Sequence, residues 1–260
     1  MHPVLFEVGN ITVYSYGFMI ALGVIGAVAY LVIQGKKDVG LTFDQANSLF
    51  LFIFIAAFVG GKVFLLFENP SLYLSEPKKL FTGRGFVFYG SFLFAVPAML
   101  WFFRKHKLNP YKMLDVMAVV TCIVHMFGRL GCFLAGCCYG KPTDRWFSVT
   151  FTDEACQAEP LNTPLFPTQL MEAGYIFIVM ILLLIVKRTY QKFYGQLFLL
   201  YLILYAIGRS ILEIFRGDVA RGFIIDGYLS HSQFIALLIV MVTIFFYVKW
   251  SKKNPVLKNR

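Results

Sequence analysis

Charge is scarce in this chain. Asp, Glu, Lys and Arg make up 15% of its 260 residues, and only 14 of them are acidic. A soluble domain usually devotes about a quarter of its residues to charge, so this chain could not clothe a water-facing surface of that size. Cysteine is also scarce, and its count of five is odd. Cys122, Cys132, Cys137 and Cys138 cluster and Cys156 stands apart, which excludes a full disulfide framework. Internal repeats and low-complexity segments are absent, which counts against transporters built from repeated halves. The opening MHPVLFEVGNITVYSYGF has no basic leader and no small-residue cleavage site, so the first helix is expected to stay in the mature protein.

What is abundant is apolar. Hydrophobic residues reach 58%, aromatics 18% and mean hydropathy +0.70, the composition of an integral membrane protein. The net charge of +10 would suit nucleic acid, but Lys and Arg sit in short clusters between apolar runs, as in loops facing anionic headgroups. Nucleic-acid binding is therefore set aside.

Seven apolar runs are long enough to span a bilayer: Thr12 to Ile33, Ala46 to Phe67, Phe86 to Phe103, Met113 to Leu134, Thr168 to Val186, Gln196 to Phe215 and His231 to Trp250. The third is the shortest and contains Pro97, expected to kink it. The first, third and fifth connections and the tail carry fourteen basic residues against seven on the other side. That asymmetry predicts an extracytoplasmic N-terminus and a cytoplasmic C-terminus. The segment 139–167 holds four acids, two bases and four prolines, a small extracytoplasmic cap. The expected fold is an all-α polytopic membrane protein, one membrane domain over 1–260 with seven transmembrane helices and that cap.

Two of these runs carry charge where a bilayer disfavours it. An arginine at the membrane centre costs about 3 kcal/mol on insertion scales, so Arg129 should face protein or a polar cavity. Cys122, His125, Arg129 and Cys132 recur at three, four and three residues and share one helix stripe, with Gly128, Gly131 and Gly136 beside it. In YAIGRSILEIFR, Arg209, Glu213 and Arg216 share another face; Glu213 can pair with one arginine and leave the other for an anion. The two clusters suggest one buried anionic site, in which guanidinium groups from different helices clasp a phosphodiester. Local ion pairs and helix packing are the plainer readings of the same residues. The cysteines of GCFLAGCCYG fit no ordinary zinc spacing, and neighbouring Cys137 and Cys138 are not expected to face one ion. Buried free thiols and no metal are the expectation.

Several of these segments, in this order, resemble the bacterial prolipoprotein diacylglyceryl transferases over nearly the whole chain: HPVLFEVGNITVYSYGFM with Tyr16 and Gly17, FVGGKVFLLF, GRGFVFYGSF, GRLGCFLAGCCYG, PTQLMEAGY with Gln169 and Glu172, YAIGRSILEIFRG and LSHSQFIALLIV. Departures from the family pattern fall at Lys62 in place of arginine, Tyr89 in place of histidine, Cys132 in place of asparagine and Cys137 in place of an acid. The resemblance implies a multi-pass enzyme of the bacterial inner membrane. It would transfer the diacylglyceryl group of phosphatidylglycerol to the lipobox cysteine of a prolipoprotein signal peptide and need no cofactor. Arg129 and Arg209 would stabilise the departing phosphate, with Tyr89 or His125 taking the thiol proton. Tyr16, Gly131, Gln169, Glu213 and Arg216 would complete the binding site. Two other functions stay open: a phospholipid-dependent transferase with another acceptor, and a lipid-binding or transport protein without chemistry.

Overall fold

In the computed structural model the chain is mostly helical. The structure describes residues 2–9, 11–76, 78–82, 87–217, 223–225, 229–253 and 255. A hairpin of β1 (Val4–Val8) and β2 (Ile11–Tyr14) leads into α1 (Ser15–Val39), followed by α2 (Phe43–Glu68), α3 (Pro70–Ser75), α4 (Lys78–Thr82), α5 (Phe88–Lys105) and α6 (Pro110–Ala135). Strands β3 (Val149–Thr150) and β4 (Pro164–Leu165) lie in the long connection to α7 (Thr168–Ile185), which continues as a π-helical turn over Val186–Tyr190. Then come α8 (Gln196–Glu213), β5 (Phe223–Ile225), β6 (Leu229–Ser230) and α9 (His231–Lys253). The strands form three separate antiparallel pairs.

Among the described residues six helices are long and apolar enough to cross a membrane: α1, α2, α6, α7 with its π turn, α8 and α9. At most 39% of the most apolar stretch of any of them is buried inside the protein. Ile25, Phe54, Phe58, Ile178, Leu237 and Phe245 are among the large side chains left outward, a surface that lipid rather than water covers. The chain is thus a mostly helical multi-pass membrane protein. The remaining expected run is α5, an 18-residue helix whose last turn holds Arg104 and Lys105 and which is not one of the six. It continues through Pro97 without a break in helix. At the N-terminus, Thr12 to Tyr14 belong to β2 rather than to the first helix.

The chain forms two compact units, residues 31–113 and residues 1–30 with 114–260. In the first, Thr42 and Gln45 start α2 with a reciprocal capping box: each side chain takes a backbone N–H of the other, at 3.2 and 3.1 Å. Helices α2 and α5 meet at Gly60 and Gly90. A methyl on Gly60 would lie 2.3 Å from the Gly90 carbonyl oxygen, and one on Gly90 2.4 Å from that of Gly60, so only glycine allows the approach.

The larger unit is organised by α6, α7 and α8. Ala118, Val119 and Cys122 of α6, Ile176, Val179 and Leu183 of α7, and Leu197 and Tyr201 of α8 form one buried cluster. A carboxylate fixes the register of α6 on α8. Asp115, 5% exposed, accepts hydrogen bonds from the backbone N–H groups of Gly195 (2.8 Å), Leu197 (2.8 Å) and Phe198 (3.2 Å), and from Gln191 Nε2 (2.7 Å). These are donors that the first turn of a helix leaves unpaired, and the positive end of its dipole favours an anion there. Gly195 adopts φ 91° at this junction. The segment 139–167 has a small core of its own, Phe151, Cys156, Ala158 and Leu165, with Phe133, Tyr139, Val149 and Leu161 packed against it.

Replacing Asp115 by Ala strands these donors in a buried setting. The expected cost is about 2 kcal/mol, read as a lower unfolding midpoint in detergent. Asp115→Asn, which keeps an acceptor oxygen for Leu197 and Phe198, should lose less. Equal midpoints for parent and Asp115→Ala would show that the cap contributes no stability.

Candidate active site

An acid that the apolar pattern of α7 isolates sits at the centre of the larger unit's polar residues. Glu172 is the only charged residue of α7, and it is buried to 2% exposure. Its Oε1 lies 3.1 Å from Arg129 Nε and 3.0 Å from His125 Nε2, both on α6 one turn apart. A carboxylate facing a guanidinium accepts, so His125 donates to it through Nε2–H. The 3.4 Å approach of Arg129 Nε to His125 Nε2 is then two donors sharing one acceptor. The His125 ring also meets Tyr205 edge-on at 5.3 Å, and Tyr205 stacks on Tyr201 at 5.9 Å.

The second charged group stands on α8. Arg209 Nη2 lies 2.6 Å from Glu213 Oε2, one turn along the same helix. Both side chains are about nine-tenths buried, and Arg209 Nη1 is a buried donor with no hydrogen-bond partner among the described residues. The expected pairing of Glu213 with one arginine thus falls on Arg209, through one terminal nitrogen only. Glu172, Arg209, Arg129 and Arg216 all act electrostatically on the Tyr205 hydroxyl. Arg216, 6% exposed, follows α8 and bridges Gly140 backbone to backbone.

The glycine- and cysteine-rich end of α6 is held from two sides. Gln169 Nε2 donates to the Cys137 carbonyl at 2.7 Å and Thr168 Oγ1 to the Cys138 carbonyl at 2.8 Å. The Gln169 donor is therefore spent on positioning this turn, while its buried Oε1 has no partner among the described residues. Gly131 packs under Tyr16: a Cβ added there would come within 3.1 Å of the Tyr16 ring. All five cysteines are free thiols, but only Cys122 and Cys156 are buried. Cys122 lies in the apolar cluster and not in the site, against its place on the predicted stripe. Cys132, Cys137 and Cys138 are half-buried, and their sulfurs lie within 4.8 Å of one another, contrary to the expectation that Cys137 and Cys138 face apart. Hydrogen bonds from Cys132 and Cys137, then the charges of Arg129 and Arg216, hold the Cys138 thiol well below the usual range. The Cys137 thiol is pushed up by its hydrogen bonds with Cys132 and Cys138.

Comparison with known proteins agrees with this arrangement of segments. The family model for prolipoprotein diacylglyceryl transferase matches residues 3–249. This chain belongs to that family. Relatives named phosphatidylglycerol-prolipoprotein diacylglyceryl transferase include one from Clostridium tetani, 37% identical over 95% of this chain and 97% of the relative. One from Campylobacter lari is 31% identical over 96% and 95% respectively. A second enzyme of that name, numbered 2, from Clostridium perfringens is 32% identical over 95% and 94%.

Within this transferase family member, the structure brings Tyr16, His125, Arg129, Gly131, Gln169, Arg209, Glu213 and Arg216 together in one unit. Tyr89 opens α5 in the unit 31–113, 66% exposed, and Lys62 is buried on α2 of that unit. Arg84 lies outside the described residues. Glu172 had no assigned role in the sequence, although an isolated acid in an apolar run is itself a signal, since such a group must find a cation.

Removing one partner of a buried ion pair costs about 3 to 5 kcal/mol, whereas removing both costs far less. Glu172→Leu should therefore unfold at a clearly lower temperature in detergent, and Arg129→Met combined with Glu172→Leu should recover much of the loss. A double variant as unstable as Glu172→Leu would mean that the carboxylate is not held for Arg129.

Proposed function

We propose that the protein transfers the diacylglyceryl group of phosphatidylglycerol to the thiol of the lipobox cysteine in a prolipoprotein, a reading supported by relatives named phosphatidylglycerol-prolipoprotein diacylglyceryl transferase. The observation that carries this reading is the buried Arg209 Nη1, a donor with no hydrogen-bond partner among the described residues, in the unit that also holds Arg129 and Arg216. Such a donor suits one oxygen of a lipid phosphate. The Glu172 pair engages Nε of Arg129 and leaves its terminal nitrogens for another.

In the proposed step the acceptor sulfur attacks the glyceryl carbon and a carbon–sulfur bond forms. The carbon–oxygen bond to the phosphate breaks, and its electron pair leaves with glycerol phosphate. Negative charge grows on that oxygen, and guanidinium groups fixed in a dry site stabilise it directly. The sulfur must first lose its proton, because the thiolate is the nucleophile. His125 is the proposed acceptor: with Nε2–H turned to Glu172, its Nδ1 carries the lone pair, the arrangement of a base oriented by a carboxylate. Tyr16, Gly131 and Gln169 would shape the pocket, with Glu213 orienting Arg209 and Arg216 adding positive charge. Tyr89 remains the competing base. In the membrane, we place α5 as a seventh span, the N-terminus and the 139–167 cap outside the bacterial plasma membrane, and the C-terminus in the cytoplasm, with 1–260 working as one membrane domain.

Purified protein incubated with phosphatidylglycerol and a lipobox peptide should add the mass of one diacylglyceryl group to the peptide. Arg129→Lys and Arg209→Lys should each slow this by about a hundredfold, since lysine keeps the charge and loses the planar fork. An unmodified peptide, or full rates in both variants, would overturn the reading. His125→Gln should cost about a hundredfold or more and Tyr89→Phe little; the reverse order would move proton transfer to Tyr89.

A further inference from the structure

Three thiols meet at the end of α6 that the proposed transfer does not use. We propose that Cys132, Cys137 and Cys138 form a three-thiolate site for one thiophilic d10 metal ion of the zinc class. Their sulfurs all lie within 4.8 Å of one another, and they are the one group of three or more His, Cys, Asp or Glu ligands placed to share an ion among the described residues. Bonds of about 2.3 Å at a tetrahedral centre set the sulfurs about 3.8 Å apart. Closing the cluster needs shifts of about an ångström or less, within the reach of a side-chain rotation.

The backbone explains how neighbouring cysteines come to face one point. Side chains of adjacent residues in an extended chain project to opposite sides. Here Gly136 takes φ 75° and Cys138 takes φ 61°, a left-handed conformation that residues with a Cβ seldom adopt. That turn brings the second thiol round to the first, and Cys132, one turn before the end of α6, completes the set. The turn is held rather than loose. Cys137 N–H donates to the Cys132 carbonyl at 3.1 Å, and Gly136 N–H to that of Phe133 at 3.2 Å. Gln169 and Thr168 hold the carbonyls of Cys137 and Cys138. An uncommon backbone conformation fixed from three directions is what a preformed ligand set requires.

Charge points the same way. Three thiolates and a divalent cation carry a net charge of −1, and Arg129 and Arg216 stand within electrostatic reach of Cys138. Binding is coordination without redox change: three S–metal bonds form and whatever protons the thiols still carry pass to solvent. Three protein ligands leave a fourth position for water or another exogenous ligand, unlike the closed four-ligand structural sites.

The test uses the full-length chain in detergent, reduced, then freed of reductant and oxygen, and titrated with Co(II) as a spectroscopic stand-in for zinc. The expected result is a thiolate-to-cobalt charge-transfer band that saturates at one ion per chain and is abolished by Zn(II). Cys132→Ser, Cys137→Ser and Cys138→Ser should each weaken binding by more than the roughly 10 to 100-fold of an outer-shell change, while Cys156→Ala keeps it. Unfolding midpoints in the metal-free state check that each variant is folded, and Zn(II) should raise the midpoint of the parent and of Cys156→Ala alone. A band that fails to form in the folded parent, or a band unchanged in all three serine variants, would overturn the proposal. None of these readouts involves phosphatidylglycerol or a peptide, so the site can fail while the transfer reaction stands, and the reverse.

Discussion

The carboxylate of Glu172 is the charge on which the polar interior depends. An unpaired guanidinium among apolar helices is expensive, and so is an unpaired carboxylate; each becomes tolerable because the other lies 3.1 Å away. The bond also fixes orientation. Glu172 draws Arg129 Nε and His125 Nε2 to one oxygen, which sets the faces that both side chains show to the rest of the site. Because the two donors come from α6 and the acceptor from α7, the pairing ties two helices to each other.

A second carboxylate does the corresponding work further along α6. Asp115 and Arg129 are separated by fourteen residues, about 21 Å of helix. Near its start α6 is tied to the first turn of α8 through Asp115, and near its end to α7 through Arg129 and His125. Between the ties lies an apolar cluster shared by the three helices. Apolar packing alone tolerates sliding and rotation between helices of similar surface; two buried charges with fixed partners do not. The polar residues that look costly in composition thus set the register of the bundle.

The helices themselves were legible because long apolar runs have few other ways to satisfy their backbone in lipid. Six runs appear as helices of spanning length and character, with limits a few residues from those expected. The hairpin before α1 was not legible: Thr12, Val13 and Tyr14 run without a break or a charge into the apolar stretch that follows, and their pairing with β1 is what separates them. Within the site, the spacing of His125 and Arg129 was readable as one face of a helix. Their partner was not, since nothing in the spacing of α6 points to a residue forty-seven positions away from His125. Asp115 escaped for the same reason, its partners being backbone N–H groups about eighty residues distant. The closeness of the Cys132, Cys137 and Cys138 sulfurs was not legible, because the turn that carries them has a left-handed φ at Cys138, a property that the letters CC do not announce.

The apolar side chains that α1, α2, α7 and α9 turn outward carry a kinetic corollary. A protein dissolved in a bilayer meets lipid ligands as solvent: their supply is a mole fraction of the surrounding leaflet, not a molarity in water, and they arrive by lateral diffusion from the side. Occupancy of an arginine-lined site so placed would follow the make-up of the membrane, and dilution with detergent would starve it without touching a single residue.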